Sequence, residues 1–187
     1  MAGGAVRVYA TAMPTPHIEL GPMPASRRMR TVDERVVRAP LERCFAVAAD
    51  VERWPKHLAH YRYVRYEERA DDGSGIVEMS ANRPFGPLDW PTWWRSLMEV
   101  RPPGGTGAPI IRFRHIGGIT TGMDVEWSFV PVADGVRVRI VHLWDGPRWP
   151  LVRTIAAVGV IGPVFVHGIA SRTLAGLARA MERGAAS

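Results

Sequence analysis

Pro163-Val-Phe-Val-His167-Gly-Ile-Ala-Ser171-Arg-Thr-Leu174-Ala-Gly-Leu177-Ala-Arg-Ala-Met181-Glu-Arg183 carries the pattern that decides the fold. His167, Ala170, Ser171, Leu174, Leu177, Ala178 and Met181 recur at intervals of three and four, which places them on one face of a helix. Arg172, Arg179 and Glu182 fall largely off that face. The stretch free of turn runs begins earlier, at Trp149. One straight helix from there to Arg183 would be roughly 50 Å long at about 1.5 Å per residue. A compact domain of this length has a radius of gyration of roughly 16 Å, so it cannot cover such a rod. Gly162-Pro163 supplies the break, because proline fits the first turn of a new helix and not the interior of an old one. The pattern predicts helical segments at about 150–161 and 163–183. A helix with one apolar face has to lie against something.

Working back along the chain, the middle supplies strands. Tyr61–Ala70, Ile76–Arg83, Thr92–Arg101, Ile110–Ile116, Met123–Val130 and Val136–Trp144 are strand-like runs separated by turn signals such as Asp71-Asp72-Gly73, Gly117-Gly118 and Asp134-Gly135. A Pro/Gly loop is expected at Pro84–Pro91. Six runs joined by short turns, with no helix between them, imply an antiparallel meander. Thr31–Arg38 reads as an earlier strand, which makes seven. Ala39-Pro40 opens a helix in which Leu41, Phe45 and Ala48 follow at helical spacing. Asp50 reads as the N-cap of a second short helix, 51–59, anchored by Trp54. The fold class is α+β: a seven-stranded antiparallel sheet, a short helix pair after the first strand, and a long C-terminal helix.

Alternation assigns the faces of the sheet. Met123, Val125, Trp127 and Phe129 oppose Asp124, Glu126 and Ser128. Val136, Val138, Ile140, His142 and Trp144 oppose Arg137 and Arg139. Ile111, Phe113 and His115 oppose Arg112 and Arg114; Trp94, Ser96 and Met98 oppose Trp93, Arg95 and Glu99; Val77, Met79 and Ala81 oppose Glu78. The inner face is apolar, aromatic and rich in methionine, with polar atoms at His115, His142, Ser96 and the indole nitrogens.

Composition sets the outer bounds. The chain has 187 residues, enough for one domain with a sizeable core, and a formal charge of +6. All but one of its 24 basic residues are arginine. They are scattered, apart from Arg27, Arg28 and Arg30, and no recognition-helix, zinc-finger or RNP-type motif accompanies them, so nucleic acid is not expected as a partner. Cys44 is the only cysteine, which excludes an internal disulfide and a thiolate metal cluster. No signal-peptide pattern opens the chain, and the longest uncharged apolar run, Ile155–Val166, is too short to span a bilayer. A cytoplasmic protein is the expectation. Residues 1–29, with four prolines and no sustained period, read as an arm, loosely ordered or laid over the surface. Residues 30–187 form the domain.

Two motifs tie these elements to a family. Ala39-Pro40-Leu-Glu-Arg-Cys-Phe-Ala-Val-Ala-Ala-Asp50-Val-Glu-Arg-Trp54-Pro55 resembles the helix pair of the helix-grip superfamily, which includes polyketide aromatase/cyclases, START lipid-transfer domains and coenzyme-Q-binding proteins. Trp127-Ser-Phe-Val-Pro131 followed by Gly135-Val-Arg-Val is similar to its sixth-to-seventh strand hairpin. The element order agrees over about residues 30–183. Where the aromatase/cyclase form usually has an aromatic–proline pair after Trp-Pro, this chain has Leu58-Ala59, followed by His60-Tyr61. The resemblance implies a curved sheet gripping the terminal helix, with a deep cavity between them for an apolar ligand. No catalytic residue is carried over from the family.

With that cavity in place, Met79, Trp94, Met98, Phe113, Trp127 and Trp144 are expected to bind the ligand, and His115, His142 and His167 to face it. Histidine moves protons near neutral pH, as ring closure or dehydration of a polyketide requires. The bland alternative for each is a core histidine satisfied by a backbone group. His57 and His60 are spaced like ligands on one helical turn but lack a third partner, so no metal is expected. Trp90, with Phe85 and Leu88, sits on a proline-rich loop whose reading stays open between packed core, cavity rim, homodimer contact and membrane-touching edge. No Gly-rich phosphate loop, nucleophile elbow or HExxH motif is present, and no cofactor is expected. Three functions remain: a cofactor-free cyclase/dehydratase, a non-catalytic carrier of a lipid or isoprenoid quinone, and an interaction protein whose cavity has closed. Titratable groups converging in the cavity favour the first.

Overall fold

The computed structural model describes residues 18–85, 88–146 and 167–183, and the side chains among them except those of 83–85, 88–90 and 167. Seven strands form one antiparallel sheet: β1 (Met29–Val37), β2 (Tyr61–Arg69), β3 (Gly75–Phe85), β4 (Leu88–Arg101), β5 (Ile110–Gly118), β6 (Asp124–Val132) and β7 (Gly135–Trp144). Their order is β1-β7-β6-β5-β4-β3-β2, so the meander returns to pair its last strand with the first. Between β1 and β2 lie α1 (Leu41–Ala49), a single 3-10 turn (Val51–Arg53) and α2 (Trp54–His57). The terminal helix α3 (His167–Arg183) packs along β1 and against α1, α2 and β7.

The expected alternation holds across the sheet. Val136, Val138 and Ile140 of β7, Val125, Trp127 and Phe129 of β6, and Ile111 and Phe113 of β5 belong to one continuous buried core. Met79, Trp94, Met98, Phe113, Trp127 and Trp144 are all part of it. The sheet bends where its ladder slips. Irregularities fall at Tyr61/Tyr63 and Tyr66/Glu68 in β2, and at Arg95/Ser96 in β4; an extra residue in one strand increases local twist. Gly118, at φ +86°, closes that last slip against the Trp93 carbonyl, where no side chain has room.

Local expectations change at two stretches. The segment 51–59 is not one helix but a 3-10 turn and one short α-turn, with no side-chain cap from Asp50. Asp50 instead pairs with Arg53 at 3.2 Å. The Pro84–Pro91 loop is a hairpin: β3 runs to Phe85 and β4 begins at Leu88, with Pro84 opposite Asp89 and Pro91 opposite Asn82. Prolines fit there because β2 pairs β3 no further than Ala81, and β5 pairs β4 only from Trp94 onward. The protruding hairpin is two-stranded, so half of its N–H groups face no neighbour and can be dispensed with. The segments expected at 150–161 and around Pro163 lie outside the described residues.

The outer face of the sheet is not all solvent. Glu99, Arg112 and Asp124 are buried there, between 2 and 3% exposed. Residues 18–28 cover them. Leu20 N–H donates to Glu99 Oε2 at 3.1 Å, Arg114 Nη2 donates to the Leu20 carbonyl at 3.3 Å, and Arg112 Nη1 donates to the Gly21 carbonyl. Farther on, Arg27 Nη1 and the Arg28 N–H both reach the Asp145 carboxylate, at 2.7 and 3.1 Å. Among the described residues no helix is long and apolar enough to cross a membrane.

Candidate ligand cavity

Between the inner face of the sheet and the first turns of α3 lies a cavity of about 70 Å³. Its floor is aromatic. Trp54 is the hub: its ring stands perpendicular to Tyr61 at 5.5 Å, meets Trp127 at 5.5 Å and Phe113 at 6.3 Å. Tyr61 in turn meets Trp94 edge-on at 6.0 Å. Edge and tilted contacts between rings favour fixed orientations. The Trp54 indole N–H donates to the Ala48 carbonyl at 3.1 Å, so α1 holds the hub in place and the ring brings only apolar surface to the cavity. From the helix side come Ile169, Ala170 and Thr173.

Three imidazoles stand around this floor, each beside a threonine hydroxyl. His115 Nδ1 lies 2.6 Å from Thr120 Oγ1; the two residues are 8% and 7% exposed. The ring also stacks on Trp94, 6.1 Å between centroids and 20° between planes. His142 Nδ1 lies 3.3 Å from Thr31 Oγ1, its cross-strand partner on β1. His60 Nε2 lies 3.2 Å from Thr173 Oγ1. A hydroxyl can donate to a ring nitrogen or accept from it, so each pair orients its ring and couples its tautomer to the hydroxyl. His115 and His142 line the cavity directly, as do Thr120 and Thr173.

Other ionisable groups near this core are set for structural roles. Burial pushes the Tyr66 phenol up to about 12, and its hydroxyl donates to the Gly73 carbonyl at 2.8 Å. Burial likewise pushes the Cys44 thiol up to about 11, which leaves it a poor nucleophile at neutral pH. Asp33 is a buried carboxylate, 5% exposed, on the inner face of β1 opposite Ile140.

Residues 37–160, a span that takes in the helix pair and the whole meander, match the family model described as polyketide cyclase/dehydrase and lipid transport. The chain belongs to this family. Among curated proteins, none matches the sequence. Solved structures of the same fold are similar over most of the chain. They include the aromatase/cyclase ZhuI of Streptomyces sp. R1128 (16% identity, TM-score 0.69, covering 82% of this chain and 93% of that one). TTHA0849 of Thermus thermophilus matches at 17% identity and TM-score 0.67, covering 83% and 98%. A START superfamily protein of Mycobacterium smegmatis matches at 16% identity and TM-score 0.58, covering 84% and 97%. At these identities the likeness is one of fold: a curved antiparallel sheet and a C-terminal helix.

Within this polyketide cyclase/dehydrase and lipid transport fold, the residues singled out from the sequence separate into two groups. Trp94, Phe113, Trp127, His115 and His142 meet at the cavity. Met79, Met98 and Trp144 are buried with them but stand behind the wall. Met79 packs between Val64 and Trp94 in the strand ladder, the Met98 sulfur lies 3.5 Å from the Tyr66 hydroxyl, and the Trp144 indole donates to the Thr121 carbonyl at 3.1 Å. The backbone of His167 opens α3, and its side chain lies outside the described residues. His57 is exposed while His60 turns inward, and no group of three metal-ligating side chains occurs among the described residues. Alternation alone did not single out Thr120, Thr173, Tyr61 and Thr31. The hydroxyls sit on a turn, a helix and the first strand, where a threonine gives no periodic signal.

Proposed function

We propose that this protein binds a compact, planar, largely apolar molecule in the cavity and closes or dehydrates it by acid–base chemistry, as a polyketide cyclase/dehydratase without a cofactor. The observation that carries the reading is that His115 and His142 line one aromatic cavity from two different strands. Their strands are separated by β6, and Phe113, His142 and Val125 lie at one level with His115 two residues farther along. Two strand spacings and two residues of rise put their Cα atoms roughly 12 Å apart. The two imidazoles therefore reach one cavity from separate strands rather than from adjacent ladder positions. A simple lipid or quinone carrier needs no such pair. The cavity, once occupied by an aromatic ligand, also excludes water from the reacting carbons.

The chemistry balances without an oxidant or reductant. One neutral imidazole takes a proton from the carbon between two carbonyl groups. The resulting enolate carbon attacks a second carbonyl carbon, forming the C–C bond, and the new alkoxide takes a proton from an imidazolium. Loss of a second proton from the same carbon, with protonation and departure of the hydroxyl as water, gives the conjugated ring. His167, at the start of α3, is carried as a third candidate for this proton traffic.

The test is dehydration of an aryl β-hydroxy ketone, followed by the rise of enone absorbance. Phenylalanine in place of His115 or His142 preserves the apolar shape. Each replacement is expected to lower kcat/KM by about 10²–10⁴ while the melting curve stays close to that of the parent. Unchanged turnover in both variants rejects the acid–base reading and leaves the carrier.

A further inference from the structure

Among the described residues, Thr173 is the polar one on the helical wall. It is 3% exposed, lines the cavity, and stands on α3 one turn after Ile169, facing the sheet. A valine has the same shape there. A hydroxyl in so dry a place calls for a partner. His60 supplies one, with Nε2 3.2 Å from Oγ1. His60 is itself fixed. Its carbonyl accepts the Asn82 N–H at 2.8 Å, and its ring packs on Tyr61 with centroids 5.0 Å apart.

The helix is seated independently of that bond. Three residues beyond Thr173, Gly176 brings the α3 backbone close to the turn after α2. A Cβ there would run into a Leu58 methyl and come to 3.3 Å from the His57 carbonyl oxygen. Two anchors thus hold the Thr173 hydroxyl, one through its own oxygen and one through the helix backbone. A hydroxyl carries one donor and two acceptor sites, and the imidazole occupies one of the three. The others are available at the cavity surface.

We infer that Thr173 is a specificity-determining contact, which receives an oxygen substituent of the ligand on the helix side of the cavity. His115 and His142 receive others on the sheet side. This rests on the reading that a planar molecule occupies the cavity, and it narrows the ligand class. The occupant is an aromatic or pre-aromatic ring system carrying oxygens on at least two separated edges, not a hydrocarbon chain with one polar end. A site built to hydrogen-bond a hydroxyl discriminates against the analogue that lacks it, because its own polar group is then left unpaired.

Calorimetric titration of the full chain with 2-naphthol and 2,7-dihydroxynaphthalene separates the cases. The parent protein is expected to prefer the diol by about tenfold, the size of one neutral hydrogen bond. Thr173→Val should lose that preference while its affinity for 2-naphthol stays within about twofold, and Thr173→Ser should restore it. If Thr173→Val weakens both probes alike, or keeps the preference for the diol, the hydroxyl only latches α3 to His60 and the inference is overturned. If the parent protein binds neither probe, the planar-ligand reading fails and takes this inference with it. Melting curves of the three proteins show whether the helix has stayed seated.

Discussion

A hydrogen bond of 2.6 Å joins His115 and Thr120, which are 8% and 7% exposed, and so orients the His115 ring. The pair is local in sequence and lies across the β5–β6 turn, where the His115 N–H donates to the Met123 carbonyl at 2.9 Å. The turn therefore fixes the strand position of His115 and the hydroxyl that orients its ring. Thr120→Val is expected to lower kcat/KM about tenfold and to displace the pH–rate profile, because the ring loses the group coupled to its tautomer. Thr120→Ser should restore both. A fall in melting temperature with an unchanged profile would make Thr120 a packing residue only. His115 and His142 were legible in the sequence because a strand places every second residue on one face. Their threonine partners were not. Thr31 and His142 are 111 residues apart, and His60 and Thr173 are 113 apart. Such pairs are set by sheet order and helix docking, which local spacing does not encode.

At the scale of elements, polar contacts join helix to helix and the segment before β1 to the end of β7. Arg43 on α1 donates from Nε to the Met181 carbonyl at 2.6 Å and from Nη2 to the Ala180 carbonyl at 3.1 Å. It thereby satisfies carbonyls in the last turn of α3. On the opposite face, residues 18–28 are held at their C-terminal end by Asp145. The Arg28 N–H, and after it Arg27, hold the Asp145 carboxyl below its ordinary value of 3.8. A carboxyl depressed in the fold stabilises the folded contact at pH above 3.8 and loses that contribution as pH falls through the folded value. The Arg28 amide should therefore keep its hydrogen-exchange protection at pH above 3.8 and lose it only as pH falls through the depressed folded value, and Asp145→Asn should weaken it several-fold at neutral pH. Protection that is flat across this range would detach Asp145 from the segment. The strands were readable from turn signals and alternation. The hairpin through Pro84 and Pro91 was not, since those prolines depend on neither flanking strand reaching that far.

For the whole molecule, the grip places the cavity where helix and sheet meet, so an occupant touches both. Whatever binds only the folded form stabilises it by mass action. At a hundredfold excess over Kd the gain is about 2.7 kcal/mol, or roughly 5–10 °C in Tm for a chain of this size. An oxygenated planar probe that binds in the cavity should produce a shift of this order in the parent protein. It should be reduced in a His115→Phe variant that melts normally without ligand. An equal shift in both would place the probe elsewhere. The strands and the terminal helix followed from two periodicities in the sequence, one of three and four, one of two, and the grip of one on the other from the resemblance to the helix-grip superfamily. The size of the cavity did not, because it is the space left over when all the side chains have packed.

The pairing of β1 with β7 has a consequence for how the protein is made. About 100 residues separate the two strands, and β1 has no other partner in the sheet. A ribosome adding about 5–20 residues per second finishes β1 roughly 5–20 s before β7 exists to receive it. During that interval the β2–β6 meander can assemble in order while β1 remains an unpaired strand. Arg30, Glu34 and Arg35 stay solvent-exposed even in the finished sheet. Charges at such positions hinder a waiting strand from pairing with a neighbouring nascent chain.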